Sequence, residues 1–185
     1  INFKGTYKNG LTDGLVTYFY LSGKVMVSGN YKAEVKDGLW MYFNEIGQAD
    51  KRMTYADGRL ISEEITTPGP DQKIIYLNIE NIAYVFNQGG LVKIRMSAGT
   101  DYVSDRKLDE FAHILNEYKF FRVNANYFVS LSCISNRKEY SPEYRILRLT
   151  PATAGEVIVS DANAEGFLHW AGLVRGEVDP KTYQE

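Results

Sequence analysis

Few residues in this chain carry the chemistry of a reaction centre, and most of those able to recognise a ligand fall in one short stretch. Phe120-Phe121-Arg122-Val123-Asn124-Ala125-Asn126 sets a guanidinium and two carboxamides in a polar knuckle behind a paired aromatic. Guanidinium and carboxamide groups suit base edges, and a guanidinium also suits phosphate. Apolar anchors on both sides hold such a knuckle rigidly while its polar tips face water, which is how a recognition loop is built. An ordinary helix-to-strand connection has the same spacing, and spacing alone does not separate the two. Elsewhere the chemistry thins out. His113 and His169 sit at helical positions beside apolar residues, with no Cys or carboxylate at ligand spacing, so no metal site is expected. Gly-x-Ser-x-Gly, P-loop and dinucleotide fingerprints are absent. These residues indicate no catalytic group, no cofactor and no enzyme.

The elements that must position the knuckle follow from hydrophobic periodicity. From Tyr127 to Ile134 the period is two, with Tyr127, Val129, Leu131 and Cys133 on one face of a strand. Ahead of the knuckle, Ser104 or Asp105 can cap a helix whose Leu108, Phe111, Ala112 and Leu115 fall on one side. Further upstream, Ile74 to Val85 is expected as strand, Asn87-Gln88-Gly89-Gly90 as a turn, and Leu91 to Ser97 as strand, with Val92, Ile94 and Met96 alternating with Lys93 and Arg95. Downstream, a polar loop over 136–143 precedes strands around Arg145–Leu149 and Val157–Val159. Ser160 can then cap a last short helix with Phe167, Leu168 and Ala171 inward.

Residues 3–58 contain an internal repeat of period 24. Gly5 recurs at Gly29, Tyr7-Lys8 at Tyr31-Lys32, Asp13-Gly14-Leu15 at Asp37-Gly38-Leu39, Tyr18-Phe19 at Tyr42-Phe43, and Gly23 at Gly47. A partial third copy starts near Tyr55. Self-similarity at fixed spacing indicates stacked supersecondary units. Each unit is expected to be a hairpin, with Asp-Gly as one turn and the following Gly as the return turn. Tyr18, Phe19, Tyr42 and Phe43 serve most simply as the glue of the sheet. Gly38-Leu39-Trp40-Met41-Tyr42-Phe43 with Gly47 resembles a MORN-type repeat, although Val16 replaces the Trp in the first unit. The resemblance implies an open β-meander used for contacts with protein or lipid, and makes Tyr18, Trp40 and Tyr42 candidates for a partner surface. Ile61 to Lys73, with Pro68-Gly69-Pro70, marks a boundary.

Composition bounds the rest. The chain has 185 residues, 44% apolar, and a formal charge of −2. Residues 1–72 hold 8 basic and 9 acidic side chains, 73–176 hold 12 and 11, and 177–185 hold 1 and 3. No segment is strongly basic, which counts against tight DNA binding, since phosphate neutralisation supplies much of that affinity. The single Cys cannot form an internal disulfide and fits a reducing compartment. No run is long enough for a membrane span. Starting at Ile1 rather than Met, the chain is expected to be a fragment or processed form.

The knuckle and its neighbours resemble the signature of the LytTR family of bacterial DNA-binding domains: paired aromatics, Arg, an apolar residue, His-Arg-Ser, then a strand. Leu77-Asn78-Ile79-Glu80-Asn81-Ile82-Ala83-Tyr84-Val85 is similar to the family's entry strand, 91–96 to its next strand, 104–111 to its preceding helix, and 157–160 with Phe167-Leu168 to its closing strand and final helix. Order and spacing hold over about residues 73–173. The resemblance implies that DNA is read by three loops on one edge of a β-rich core. Carried over, it makes Asn87 and Gln88 of the first loop, Arg122, Asn124 and Asn126 of the knuckle, and Ser160 and Asn163 of the last loop candidate DNA-binding residues, with Lys93, Lys119, Arg137 and Lys138 as further phosphate-facing cations. Arg122 and Ser160 match the pattern. Asn124 replaces the usual His, Ala125 the usual Arg or Asn, and Asn126 the usual Ser, while Asp161 and Ala162 stand where Arg is typical. Losing one good side chain-to-base pair costs about 1–3 kcal/mol.

The expected fold is therefore mainly β: a meander of MORN-like hairpins over 1–62, a linker over 63–73, a β-rich LytTR-like domain with two short helices over 74–176, and a tail over 177–185. The expected function is a cytoplasmic bacterial transcriptional regulator that binds double-stranded DNA, self-associates on it as a homodimer, and uses the repeats to sense or recruit a protein partner. The alternative is a degenerate LytTR-like fold kept as a protein-interaction module.

Overall fold

The computed structural model describes residues 2–68, 73–137 and 140–173. It is mainly β. A seven-stranded antiparallel meander runs in chain order: β1 (Asn2–Lys8), β2 (Leu11–Phe19), β3 (Val25–Lys32), β4 (Val35–Phe43), β5 (Ala49–Ala56), β6 (Arg59–Pro68) and β7 (Ile74–Asn78). A second, five-stranded antiparallel sheet follows. It comprises β8 (Ile82–Gln88), β9 (Leu91–Met96), β10 (Asp101–Ser104), β11 (Phe120–Asn124) and β12 (Tyr127–Ser130), in the order β10-β9-β8-β12-β11. A short α1 (Phe111–Ile114), a two-strand ladder of β13 (Ile146–Leu147) and β14 (Val157–Ile158), and α2 (Asp161–Trp170) complete it.

The 24-residue repeat has a packing cause. Val16 and Trp40 occupy equivalent places in β2 and β4, and both are buried. Each lies on a glycine of the neighbouring strand: Val16 is paired with Gly5 and also with Gly29, while the Trp40 ring covers Gly29. A Cβ at Gly29 would come within 2.2–2.5 Å of the indole ring. Tyr31 and Tyr55 meet the ring edge-on, and the Lys36 ammonium sits 4.4 Å from its centroid. A single-layer sheet thus builds a small core from its own side chains.

The turns differ from expectation. Asp13-Gly14 and Asp37-Gly38 lie inside β2 and β4, not at hairpin tips. Gly14 and Gly38 take φ of 100° and 70°, the mark of a bulge rather than a reversal in these strands. The tight reversals fall at Asn9-Gly10, Ala33-Glu34 and Asp57-Gly58, where both residues of each pair have positive φ. The Asp carboxylates cap those reversals one unit on: the Ala33 N–H donates to Asp13 Oδ2 at 3.2 Å and the Asp57 N–H to Asp37 Oδ1 at 3.5 Å. The return turns at Gly23 and Gly47 are as expected.

The boundary also differs. Residues 63–68, expected within a linker, continue β6, and Ile74–Asn78 pairs with it as β7. Ile65 is buried in the same cluster as Leu108 and Phe111. The Arg106 guanidinium donates to Thr66 O at 2.5 Å, Thr66 Oγ1 at 3.0 Å and Asp50 Oδ1 at 2.8 Å, and Thr67 Oγ1 donates to Val103 O at 2.9 Å. Apolar and polar contacts therefore join the meander to the second unit. The expected tail over 177–185 and the Gly69-Pro70 pair lie outside the described residues.

The five-stranded sheet is buried on both faces at its central strands, β8 and β12. Val85, Ile94, Phe120 and Phe128 point into a cluster with Ile65, Phe111 and Leu115. Tyr84, Phe86, Val123 and Val129 point into another with Val157 and Phe167. The strand expected over 127–134 stops at Ser130 and turns into a 3-10 segment, Leu131–Cys133. The expected helix near 104–115 is a 3-10 turn, Leu108–Glu110, followed by α1, and Ile114 is buried while Ala112 is exposed. Trp170, unmarked by periodicity, stacks near Phe121 at 5.3 Å and donates to Glu117 O at 3.0 Å.

Two outcomes follow from this packing. Gly29→Ala should lower stability by about 1–3 kcal/mol, the range for overpacking a filled site, and urea unfolding followed by Trp fluorescence measures it. Burial pushes the Cys133 thiol from 9.0 up to about 11. It also pushes the Tyr84 hydroxyl from 10.0 up to about 12, outweighing the lowering effect of Arg95. Both are neutral when folded and ionise more readily when unfolded, so the contribution of Cys133 is complete below about pH 9 and is lost as pH rises through about 11, and that of Tyr84 is complete below about pH 10 and is lost as pH rises through about 12. The urea midpoint should fall between pH 9 and 10.5, and Cys133→Ala should flatten the first part of that fall.

Candidate nucleic-acid interface

The knuckle is the reversal between β11 and β12, where the register shifts between Arg122 and Asn124. Asn124 builds it. Its side-chain oxygen accepts the Asn126 N–H at 2.8 Å, and its side-chain nitrogen donates to Ile158 O at 2.8 Å. The first loop is fastened alongside, because the Asn87 N–H donates to Asn126 O at 2.9 Å. The last loop is fastened on the other side: the Ser160 N–H donates to Val123 O at 2.9 Å, and Asn163 Nδ2 to Arg122 O at 3.0 Å. Three loops distant in sequence therefore share one edge, each tied to the knuckle through backbone groups.

The candidate residues divide by their engagement. Asn87, Gln88 and Asn126 are exposed. Among the described residues, the side chains of Asn87 and Asn126 make no hydrogen bond, and Gln88 Oε1 accepts from Lys93 Nζ at 2.9 Å. Asn124 and Asn163 are committed to the loop framework. Ser160 stands at the N-terminus of α2 without a side-chain capping bond. The Arg122 guanidinium pairs with Asp109 at 2.6 Å and donates to the carbonyls of Asn124 and Ala125 at 3.2 and 3.4 Å. It lies 5.5 Å from the Phe128 ring centroid. Arg122 is thus a clamp on the knuckle.

Arg137 is not brought to this edge. It lines a cleft with Lys119, Ser130 and Leu131, at the end of the β11–β12 pair where Phe120 faces Ser130. Lys138 lies outside the described residues. In the meander, Trp40 is buried and its indole N–H donates to Asn30 O at 3.1 Å, so it offers no surface to a partner. Tyr18 and Tyr42 are half-buried. Burial raises the Tyr42 hydroxyl pKa, and the neutral group accepts from Lys36 Nζ at 3.3 Å.

Two residues that sequence reasoning missed shape the charge of the edge. Asp109 holds Arg122, and Arg145 pairs with Asp161 at the start of α2. Neither pair has a sequence signal, because the partners are 13 and 16 residues apart on different elements. Among the described residues there is no grouping of His, Cys, Asp and Glu able to hold a metal ion, and no helix long and apolar enough to cross a membrane.

Comparison with known proteins gives two findings. The family model for the LytTr DNA-binding domain matches residues 72–172. Among solved structures, one described as the LytTr DNA-binding domain of a methyl-accepting/DNA response regulator from Bacillus cereus is similar at 18% identity and a TM-score of 0.48, covering 59% of this chain and 96% of that one. No curated protein matches the chain.

If Arg122 clamps the knuckle through Asp109, Asp109→Asn should speed amide hydrogen exchange at Asn126. The stability change should stay below about 1 kcal/mol, because the pair is partly exposed. Unchanged exchange would leave the knuckle held by Asn124 alone.

Proposed function

We propose, on the premise that this chain belongs to the LytTR family of DNA-binding domains through residues 72–172, that it is a cytoplasmic bacterial transcriptional regulator acting on double-stranded DNA. The observation that carries this reading is the convergence of three loops on one edge, where Asn87 and Asn126 are exposed and the Asn87 N–H is bonded to Asn126 O. Carboxamides discriminate bases by paired hydrogen bonds, adenine above all. Arg122 and Asn124, whose side chains are spent on the loops themselves, act by positioning. Gln88, Lys93 and the unengaged Ser160 hydroxyl supply further contacts, to phosphate as well as to bases.

The chain is read as two modules, a MORN-like meander and the LytTR domain, with the meander in the position of a sensing or partner-binding element. Its tyrosine-bearing face around Tyr18 and Tyr42 is the candidate surface. The shared β6–β7 ladder and the Arg106 contacts would carry a strain from that face to the DNA-binding unit. Homodimers on adjacent half-sites fit the same reading.

A second reading is favoured by one specific observation. Arg122 and Arg145 at the edge are each paired with a carboxylate, so the field that would draw DNA in is weak. A LytTR fold kept for protein contacts would have this character.

Fluorescence anisotropy with a labelled duplex from the gene's own upstream region, beside a scrambled duplex, separates the two. A regulator binds the native duplex more tightly, with affinity falling steeply as salt rises. Asn87→Ala and Asn126→Ala should each then cost about 1–3 kcal/mol on the native duplex and little on the scrambled one. Absence of binding at low salt would favour the protein-contact reading.

A further inference from the structure

We infer that Arg145, which no sequence motif marks, is a phosphate-contacting residue of the DNA-binding edge, held ready there by Asp161. The inference rests on the DNA-binding reading and adds a residue from a different element of the fold.

The geometry begins with the backbone. Arg145 takes φ of 55°, a left-handed conformation that suits Gly or Asn and that a long side chain rarely adopts. Two backbone bonds over-determine it: its N–H donates to Ser141 O at 2.8 Å, and its carbonyl accepts the Val159 N–H at 2.9 Å. Glycine would fill those backbone roles with less strain. An arginine kept in an unfavourable conformation at a surface turn points to a use for its side chain.

That side chain ends at the candidate interface. Val159, bonded to Arg145, lies between Ile158, whose carbonyl receives the Asn124 carboxamide, and Ser160, whose N–H is bonded to Val123. The guanidinium reaches the Asp161 carboxylate at the first residue of α2. The Arg145 side chain is 29% exposed and that of Asp161 is 89% exposed, so the pair lies at the rim with the guanidinium partly covered. Among the described residues the buried Nε has no hydrogen-bond partner, and Asp161 engages Nη1 alone, which leaves Nη2 to a phosphate oxygen. Asp161 alone would repel a phosphate, but with Arg145 beside it the rim offers a neutral pair in which Nη2 is left to donate. Phosphate contacts of this kind set register and add affinity without reading sequence.

The test exploits the backbone. Arg145→Gly removes the guanidinium and relieves the left-handed strain, so the full chain should fold at least as well, which thermal unfolding checks. In the anisotropy titration, Arg145→Gly should weaken native and scrambled duplexes by the same factor, about fivefold at low salt. It should also reduce the slope of log affinity against log salt by roughly 0.9, the value for one phosphate contact. Arg145→Lys should keep most of that slope, and Asp161→Asn should tighten both duplexes. Wild-type affinity and slope in Arg145→Gly would overturn the inference while leaving the DNA-binding reading intact. A wild-type chain that binds no duplex would overturn both.

Discussion

Burial of β8, the middle strand of the five-stranded sheet, on both faces is the constraint from which the rest follows. Tyr84, Val85 and Phe86 on β8 are all enclosed, and successive residues point into different clusters. A slip of one residue would exchange the Val85 side of the strand for the Tyr84 side, so the register of β8 against β12 is fixed. Tyr84 adds a polar lock, because its hydroxyl donates to Pro151 O at 3.1 Å from inside the second cluster. With the register fixed, the Asn87–Gly90 turn must lie beside the Asn124–Asn126 knuckle. The candidate interface is a consequence of core packing carried to the ends of the strands.

The meander depends on the same core more than its repeat suggests. Trp40 and Val16 give it an interior of its own, but its last strands are finished by the neighbouring unit: Ile65 is buried among Leu77, Leu108 and Phe111. Arg106 reinforces the junction with donors to Thr66 and Asp50. Three residues further on, Asp109 holds Arg122, and Arg122 holds the carbonyls of the knuckle. A contiguous path of packed and hydrogen-bonded groups therefore leads from the meander to the loop tip. A path of this kind permits coupling; coupling itself requires two arrangements of the path with different affinities at its ends.

What the sequence reveals here depends on how local the cause is. The 24-residue period was legible because each unit repeats a contact between a large side chain and a glycine. The second sheet was legible because its strands alternate strongly and its signature residues are contiguous. The reversals were harder. Asp37-Gly38 has the composition of a turn and forms a bulge, while Ala33-Glu34 lacks that composition and forms the turn. The decision rests with the neighbouring strand, whose carboxylate caps the reversal. The linker was misplaced for a similar reason. Pro68 lacks an N–H to donate, but β6 runs up to it as a strand paired with β5 on one side and β7 on the other.

The edge itself shows why composition and geometry had to be weighed together. A near-neutral domain appeared poor in cations for DNA, and the structure pairs the arginines near the knuckle with Asp109 and Asp161. Pairing has different consequences at the two sites. Arg122 bonds to the knuckle's carbonyls, so its charge is used to hold backbone, while the exposed side chains of Asn87 and Asn126 make no hydrogen bond among the described residues. Arg145 is tied instead to Asp161, the first residue of α2. On the proposed reading, a surface built in this way would attract DNA weakly at long range and gain its affinity at contact, through hydrogen bonds made from loops already tied together. Such an interface would discriminate by fit more than by charge, and that is what loops tied to one another through backbone groups permit.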